Sequence, residues 1–570
     1  MKTILQLMIK KAFLFHLLFS FLFVGNLKAQ SIYLSAIGEN DMETKIIDSL
    51  NYKKQFTDYA SLSKEIKEFQ KRLNHIGYLE HELLNVTKQN DSMYQAQFSL
   101  KELYHTIYIY HENKIDANLI NLISDTGENG YFEIPIDNLE DVLQLLNTEI
   151  ANQGAPFSVL QLKNIQKVRN GILSAELGLS NANKRNIDNI LIKGYEAFPK
   201  SFLKHYLKIR PNQNFNLSKI KDKTIKLNSL KFATQIKDPE VLFTKDSTIL
   251  YIYVEKAMSN TFDGFIGFGT NSETNKIEFD GYLNLNLTNN LNFGEVFTLY
   301  YKSDENEQKT FEINTKLPYL FNSPLGVELQ LNIFKKDSSF VSVSQMAKLA
   351  FQFDSKNEIS VGLKSTNSNN LLEEEATVNV SDYKSNHYLI SYRHQNFQNY
   401  DPLFPIGLYV DFTAGIGTRK VNTINESQSI FNIDAYKIFN LNLKNSIYAK
   451  IKGGLLLSDT YLENEMLRFG GINSLRGFEE NSLTADLFGV LNTEYRYRIN
   501  NSLYVHSIFD AGYFENKISN LKGKLFGFGF GFGLRTKAGL FRFNYSSGKT
   551  KNQPFKFSDS KIHLSLTSKF

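Results

Sequence analysis

The side chains best placed for chemistry in this chain are paired charges. In the strand-like run around 491–498, Asn492, Glu494, Arg496 and Arg498 fall on one face by alternation. In the next such run, Asp510 shares a face with His506, Ile508 and Gly512. Groups of this kind hold structure through charge-assisted hydrogen bonds, and a guanidinium fork can take two carboxylates at once. Covalent chemistry finds little support. The 570 residues include no Cys, which excludes a thiol nucleophile, a thiolate metal site, a disulfide and a lipid on an N-terminal cysteine. Neither HExxH nor GxSxG occurs. Ser547-Gly548-Lys549-Thr550 ends like a phosphate-binding loop, but Phe543 stands where the upstream glycine belongs. The glycines from Gly527 to Gly533 have the wrong spacing for a dinucleotide fingerprint, and the ten His are scattered. Glu373-Glu374-Glu375 reads as a solvated loop rather than a cation site. The expectation is a protein that is not an enzyme and uses no cofactor and no metal.

The elements that must position those charges change character near residue 258. From Met258 to Phe570 the pattern is almost wholly period-two. Leu525–Arg535 sets Phe526, Phe528, Phe530, Phe532 and Leu534 against Gly527, Gly529, Gly531 and Gly533. Leu540–Tyr545 sets Phe541, Phe543 and Tyr545 against Arg542 and Asn544. The last ten residues set Ile562, Leu564, Leu566 and Phe570 opposite His563, Ser565, Thr567 and Lys569. One apolar and one polar or small face marks strands between lipid and a lumen, although a soluble sandwich alternates in the same way. The bulky aromatic faces (46 Phe and 30 Tyr in the chain) and the amphipathic final strand favour a closed barrel. At ~20 residues per strand with its connection, 313 residues hold about 16 antiparallel strands. No stretch beyond residue 29 approaches a helical membrane span, so a barrel is the remaining spanning solution.

Before residue 258, helical and strand patterns alternate in a unit used three times: strand, two helices, two strands. The first copy has a strand at Ser31–Ala36, helices at Asp41–Leu50 and Tyr59–His75, and a strand through Tyr94–Leu100. The second has Thr106–His111, helices at Ile115–Ser124 and Asp137–Gln153 with Asp137 as N-cap, and strands Leu160–Arg169 and Gly171–Leu179. The third has Asn186–Lys193, helices Lys200–Lys208 and Leu217–Asn228, and strands near Thr234–Leu242 and Thr248–Lys256. Residues 1–29 read as a secretory signal: Lys2, Lys10 and Lys11, an apolar run from Ala12 to Val24, then Leu27-Lys28-Ala29 before Gln30. The apolar run falls short of the ~20 residues of a membrane anchor. The segment holds four Lys and no acid, so removing it takes the net charge from +5 to +1. Nucleic-acid binding gains nothing from that charge.

At Arg468–Phe478 the sequence reads RFGGINSLRGF. With Asn492-Thr493-Glu494-Tyr495-Arg496 and Phe509-Asp510-Ala511-Gly512 following in order, this resembles the signature loop of the BamA/TamA superfamily of outer-membrane assembly and translocation barrels. The residues that carry it are Gly470, Gly471, Ser474, Arg476, Gly477 and Phe478. The resemblance implies that the loop folds back into the lumen and that Arg476 meets Glu494 and Asp510 on the barrel wall. It also implies that the three repeated units are POTRA-like periplasmic domains. Pro318-Tyr319-Leu320 and Asn292-Phe293-Gly294 resemble family strand-end motifs, the second lacking the usual second glycine. Three such units look most like the translocation and assembly module subunit.

The division expected is a signal peptide at 1–29, POTRA-like domains at 30–104, 105–183 and 184–257, and a transmembrane β-barrel at 258–570. The function the resemblance implies is assembly, insertion or translocation of outer-membrane or secreted proteins. Unfolded clients would pair with POTRA strand edges, and a seam between Phe262–Thr270, thinned by Gly264, Gly267 and Gly269, and the C-terminal closing strand would open to them. The expected partners are the outer-membrane bilayer, those clients and accessory subunits in the periplasm or inner membrane. A two-partner secretion transporter is the first alternative, although residues 30–40 are short for a plug helix and linker. A passive pore or structural barrel is the second.

Overall fold

A computed structural model describes residues 31–112, 115–120, 123, 130–303 except 271–276, 308–372, 379–398, 401–550 and 560–570. It does not describe the side chains of 117, 265–270 and 277–280. The signal sequence and the Glu373-Glu374-Glu375 loop lie outside the described residues. Two compact units emerge, one of residues up to Arg185 with Asn214–Asn216, the other of Asn186–Gln213 with Leu217–Phe570.

The first unit holds two four-stranded mixed sheets. In each, the first strand pairs in parallel with the last: Ile32–Ile37 with Met93–Ser99, and Thr106–Tyr110 with Ile172–Ser180. A parallel pair needs a crossover, and the helices supply it. Helix Tyr59–His75 turns Leu62, Ile66, Phe69 and Leu73 into the core beneath Leu34, Ala96 and Phe98. The Asp58 carboxylate accepts the Ser61 N–H at 2.8 Å and sets where that helix starts. The third mixed sheet belongs to the second unit, with Asn189–Gly194 parallel to Thr248–Lys256 and Ala233–Phe243 beside it. The three sheets resemble POTRA repeats.

Several local expectations need correction. Pro135 leads into a 3-10 turn at Ile136–Asn138, so the long helix of the second POTRA-like repeat starts at Leu139 and Asp137 does not cap it. Edge strands Gln55–Phe56 and Tyr131–Pro135 extend the first two sheets beyond the simple unit. Beside the third sheet, Phe202–Tyr206 is a single π-helical turn with Phe202, Leu203, His205 and Tyr206 buried. The helix from Leu217 ends at Thr224 and passes into a 3-10 turn at Ile225–Ser229.

Sixteen antiparallel strands, from Thr261–Thr270 to Lys561–Lys569, close into the barrel that the sequence pattern predicts. Alternation decides which side chains face out. On the eighth strand, Tyr383–Phe397, Tyr388 and Ile390 are exposed on the outside while His387, Leu389 and Ser391 are buried within. On the fourteenth, Leu521–Arg535, Phe528 and Phe530 point out. An exterior of Tyr, Phe, Ile and Leu is what hydrocarbon solvates. Among the described residues no helix is long and apolar enough to cross a membrane.

The third sheet docks at the barrel end where even-numbered strands turn into odd-numbered ones, here the near end. Tyr195 donates its hydroxyl to Asn292 Oδ1 at 2.5 Å. Phe202 meets Tyr319 edge-on with ring centroids 4.8 Å apart, and His205 Nε2 lies 2.8 Å from the Asn322 carbonyl. The two strand-end motifs of the sequence are therefore the seats of this dock. Gly294 sits there at φ +75°, where an added Cβ would lie 2.2 Å from the Phe202 ring. Burial raises the Tyr206 hydroxyl above the ordinary tyrosine range, so it stays protonated in this apolar seat.

Candidate functional site

The connection between the eleventh strand, Asn445–Leu457, and the twelfth, Leu487–Arg498, is long and folds into the lumen from the far end. It carries the RFGGINSLRGF stretch. Arg468 stands over the rings of Phe334 and Phe340 on the fifth and sixth strands, at 5.1 and 5.4 Å. Phe469 stacks on Phe488 at 4.6 Å, and Leu475 is fully buried with Phe469 and Leu525.

At the loop's inner end sits Arg476. Its Nε and Nη2 donate to the two Asp510 oxygens at 2.9 and 2.6 Å, and its backbone N–H donates to Asp510 Oδ2 at 3.0 Å. Its Nη1 is hydrogen-bonded to Glu494, whose other oxygen accepts Arg496 Nε at 2.7 Å. Arg476 is 5 % exposed and Asp510 not at all. Charges so buried persist because each is paired and hydrogen-bonded. Ser474 helps shape the turn by accepting the Gly470 N–H at 2.7 Å, while its carbonyl accepts Asn492 Nδ2 at 2.6 Å.

Glycine lets the loop press on the wall. Gly477 has φ +91°, and an added Cβ would lie 2.5 Å from Gly548 N. A Cβ on Gly527 would lie 2.2 Å from the Arg476 carbonyl oxygen. The small-residue face of the fourteenth strand is therefore the bed of the loop. Ser547-Gly548, which ends like a nucleotide motif, sits in the fifteenth strand against Gly477 and Phe478. Gly471, at φ +93°, crowds Glu480. Of the closing-strand residues, Ile562, Leu564, Leu566 and Phe570 are exposed on the outer surface.

Two further anchors carry no motif. Arg419, 1 % exposed on the ninth strand, Ile406–Val421, pairs with Glu426 Oε2 at 2.6 Å and with Glu465 in the infolded loop, and donates to Thr460 Oγ1 at 2.6 Å. Period-two alternation puts Gly415, Gly417 and Arg419 on one face, and that is the only sequence signal for it. Arg498 pairs with buried Asp401, 97 residues away, and nothing local announces it. Below the Arg476 anchor lies a polar cavity of about 730 Å³, lined by Tyr300, Lys302, Tyr448, Arg496, Arg542 and His563 among others.

No curated protein matches this sequence. CdiB from Escherichia coli aligns with a TM-score of 0.51 at 13% identity, covering 92% of this chain and 98% of that one. CdiB from Acinetobacter baumannii aligns with a TM-score of 0.50 at 14% identity, covering 90% and 97%. At such identities the likeness is one of fold. The family model described as haemolysin secretion/activation protein ShlB/FhaC/HecB matches residues 337–536, a stretch that includes the whole infolded loop with Arg476, Glu494 and Asp510.

Proposed function

We propose that this chain is an outer-membrane barrel that handles polypeptides, receiving unfolded clients at its POTRA-like units and delivering them into the bilayer. In this reading residues 1–29 direct export, the near end faces the periplasm and the infolded loop enters from the outside. The observation that carries delivery into the bilayer is the closing seam. Among the described residues, the first and last strands pair at Thr261↔Lys569 and Phe262↔Ser568 alone, whereas the first and second run in register from Thr261↔Asn286 to Thr270↔Ile277. One further backbone bond, Phe570 N to the Asn260 carbonyl at 3.1 Å, and Thr567 Oγ1 to Asp263 Oδ2 at 3.3 Å add little. Edges so thinly joined offer main-chain donors and acceptors to an incoming strand. Three POTRA-like sheets favour a role like that of the translocation and assembly module subunit.

The match of residues 337–536 to the secretion/activation family, with the CdiB fold, supports a second reading, a two-partner secretion transporter. The chain contains no Cys, so Phe262→Cys with Ser568→Cys creates one defined crosslink across the seam. Insertion through the seam predicts that oxidation lowers the cellular level of outer-membrane barrels and surface lipoproteins and that reductant restores it. Secretion through the lumen predicts an unaffected seam lock and loss of one exported partner on depletion. If depletion changes neither, and no client crosslinks to the POTRA-like units, the chain is a passive barrel.

A further inference from the structure

We propose that Asp401–Pro405, in the turn between the eighth and ninth strands, is a latched floor that closes the near mouth of the lumen, with Asp401 and Arg498 as its catch. The turn joins the eighth and ninth strands, so it lies at the same barrel end as the turns that seat the third sheet. This turn folds inward. Asp401 and Leu403 are 2 and 6 % exposed, and Leu403, Phe404 and Pro405 line the cavity beneath the infolded loop.

The turn is built to hold that shape. Asp401 Oδ1 accepts the N–H groups of Leu403 and Phe404 at 3.0 and 3.1 Å, and its other oxygen takes Arg498 Nη2. Gln398 donates to the Phe404 carbonyl at 2.6 Å and accepts from Asn440 at 3.1 Å. Phe404 meets Tyr504 edge-on at 4.8 Å and lies 4.4 Å under the Arg496 guanidinium, which stands 4.0 Å over Tyr448. A flexible surface turn has no use for such a set of partners.

The twelfth strand makes the floor and the infolded loop parts of one device. Four inward residues at spacing two divide the work. Asn492 and Glu494 hold the loop above; Arg496 and Arg498 hold the turn below. The Arg496 to Glu494 bond joins the two halves at 2.7 Å. A polypeptide entering the lumen axially from the near end has to unseat Phe404 and break the Asp401 catch first, whereas the seam lies on the other side of the cavity, by Asp263 and Thr567. The inference rests on the near end facing the periplasm and deepens the reading above by fixing which route is shut at rest.

The test uses the full chain in proteoliposomes with one reporter cysteine, Tyr436→Cys, on the cavity wall. A charged thiol reagent is added from the near-end side and the labelling rate is followed, with heat-modifiable migration showing that the barrel is folded. Asp401→Asn, which keeps the side-chain shape, and Phe404→Gly are each expected to speed labelling at least tenfold. Should labelling of the folded Asp401→Asn protein match that of the parent, the catch is overturned; no change in folded Phe404→Gly overturns the floor. No client is present, so the result is independent of whether the seam delivers clients.

Discussion

Truncating Arg476→Ala would leave Glu494 and Asp510 buried in the wall without the cation that balances them. Removing one partner of a buried pair strands the other's charge, at a cost of about 3–5 kcal/mol. Arg476→Lys keeps the charge and still loses most of this, since a point ammonium cannot reach both Asp510 oxygens and Glu494 as the fork does. Denaturant titration of the folded barrel in detergent should show both variants losing their midpoint, alanine more than lysine. A lysine variant as stable as the parent would mean that the fork geometry is immaterial. The family resemblance pointed Arg476 at Glu494 and Asp510, while period-two alternation placed Glu494 on one face with Asn492, Arg496 and Arg498, and Asp510 on one face with His506. Asp401 was not readable, because its partner is set by the curvature of a closed sheet rather than by any local pattern.

Elements carry the next prediction. The π-helical turn Phe202–Tyr206 keeps its place by filling the notch that Gly294 leaves open. Gly294→Ala sets a methyl 2.2 Å from Phe202 and forces a non-glycine residue to φ +75°. Strain of these two kinds amounts to about 1–3 kcal/mol. The expected outcome is a barrel that folds normally while the 186–256 segment becomes susceptible to limited proteolysis. Unchanged protease resistance would show that the dock is not held at this point. The sequence marked Asn292-Phe293-Gly294 as a strand end and gave no sign of what it seats, since the contact joins segments almost a hundred residues apart. Repeat boundaries slipped for similar reasons. Pro135 moved a helix start by imposing a tight turn, and two-residue strands such as Gln55–Phe56 lie below the length at which periodicity can be recognised.

At the scale of the whole barrel, the infolded loop is held on two separate parts of the wall. Arg419 grips its neck from the ninth strand, and Arg476 carries its inner end to the twelfth and thirteenth. Between them, Tyr461 and Met466 of the neck pack with Leu389, Ile430 and Leu456 inside the far half of the lumen. A tether fixed at both ends closes the lumen even when one end is released, because the remaining anchor and the packed neck still exclude a continuous water column. With the near floor unlatched by Asp401→Asn, Arg419→Ala alone and Arg476→Ala alone are therefore expected to give brief, small conductance events in planar bilayers. The double variant should give long openings well beyond the sum of the two. Sites that share one loop couple in this way, whereas independent sites add. If the double variant conducts only as the single variants do together, the two arginines act on separate structures, and the far mouth is closed by something other than this loop.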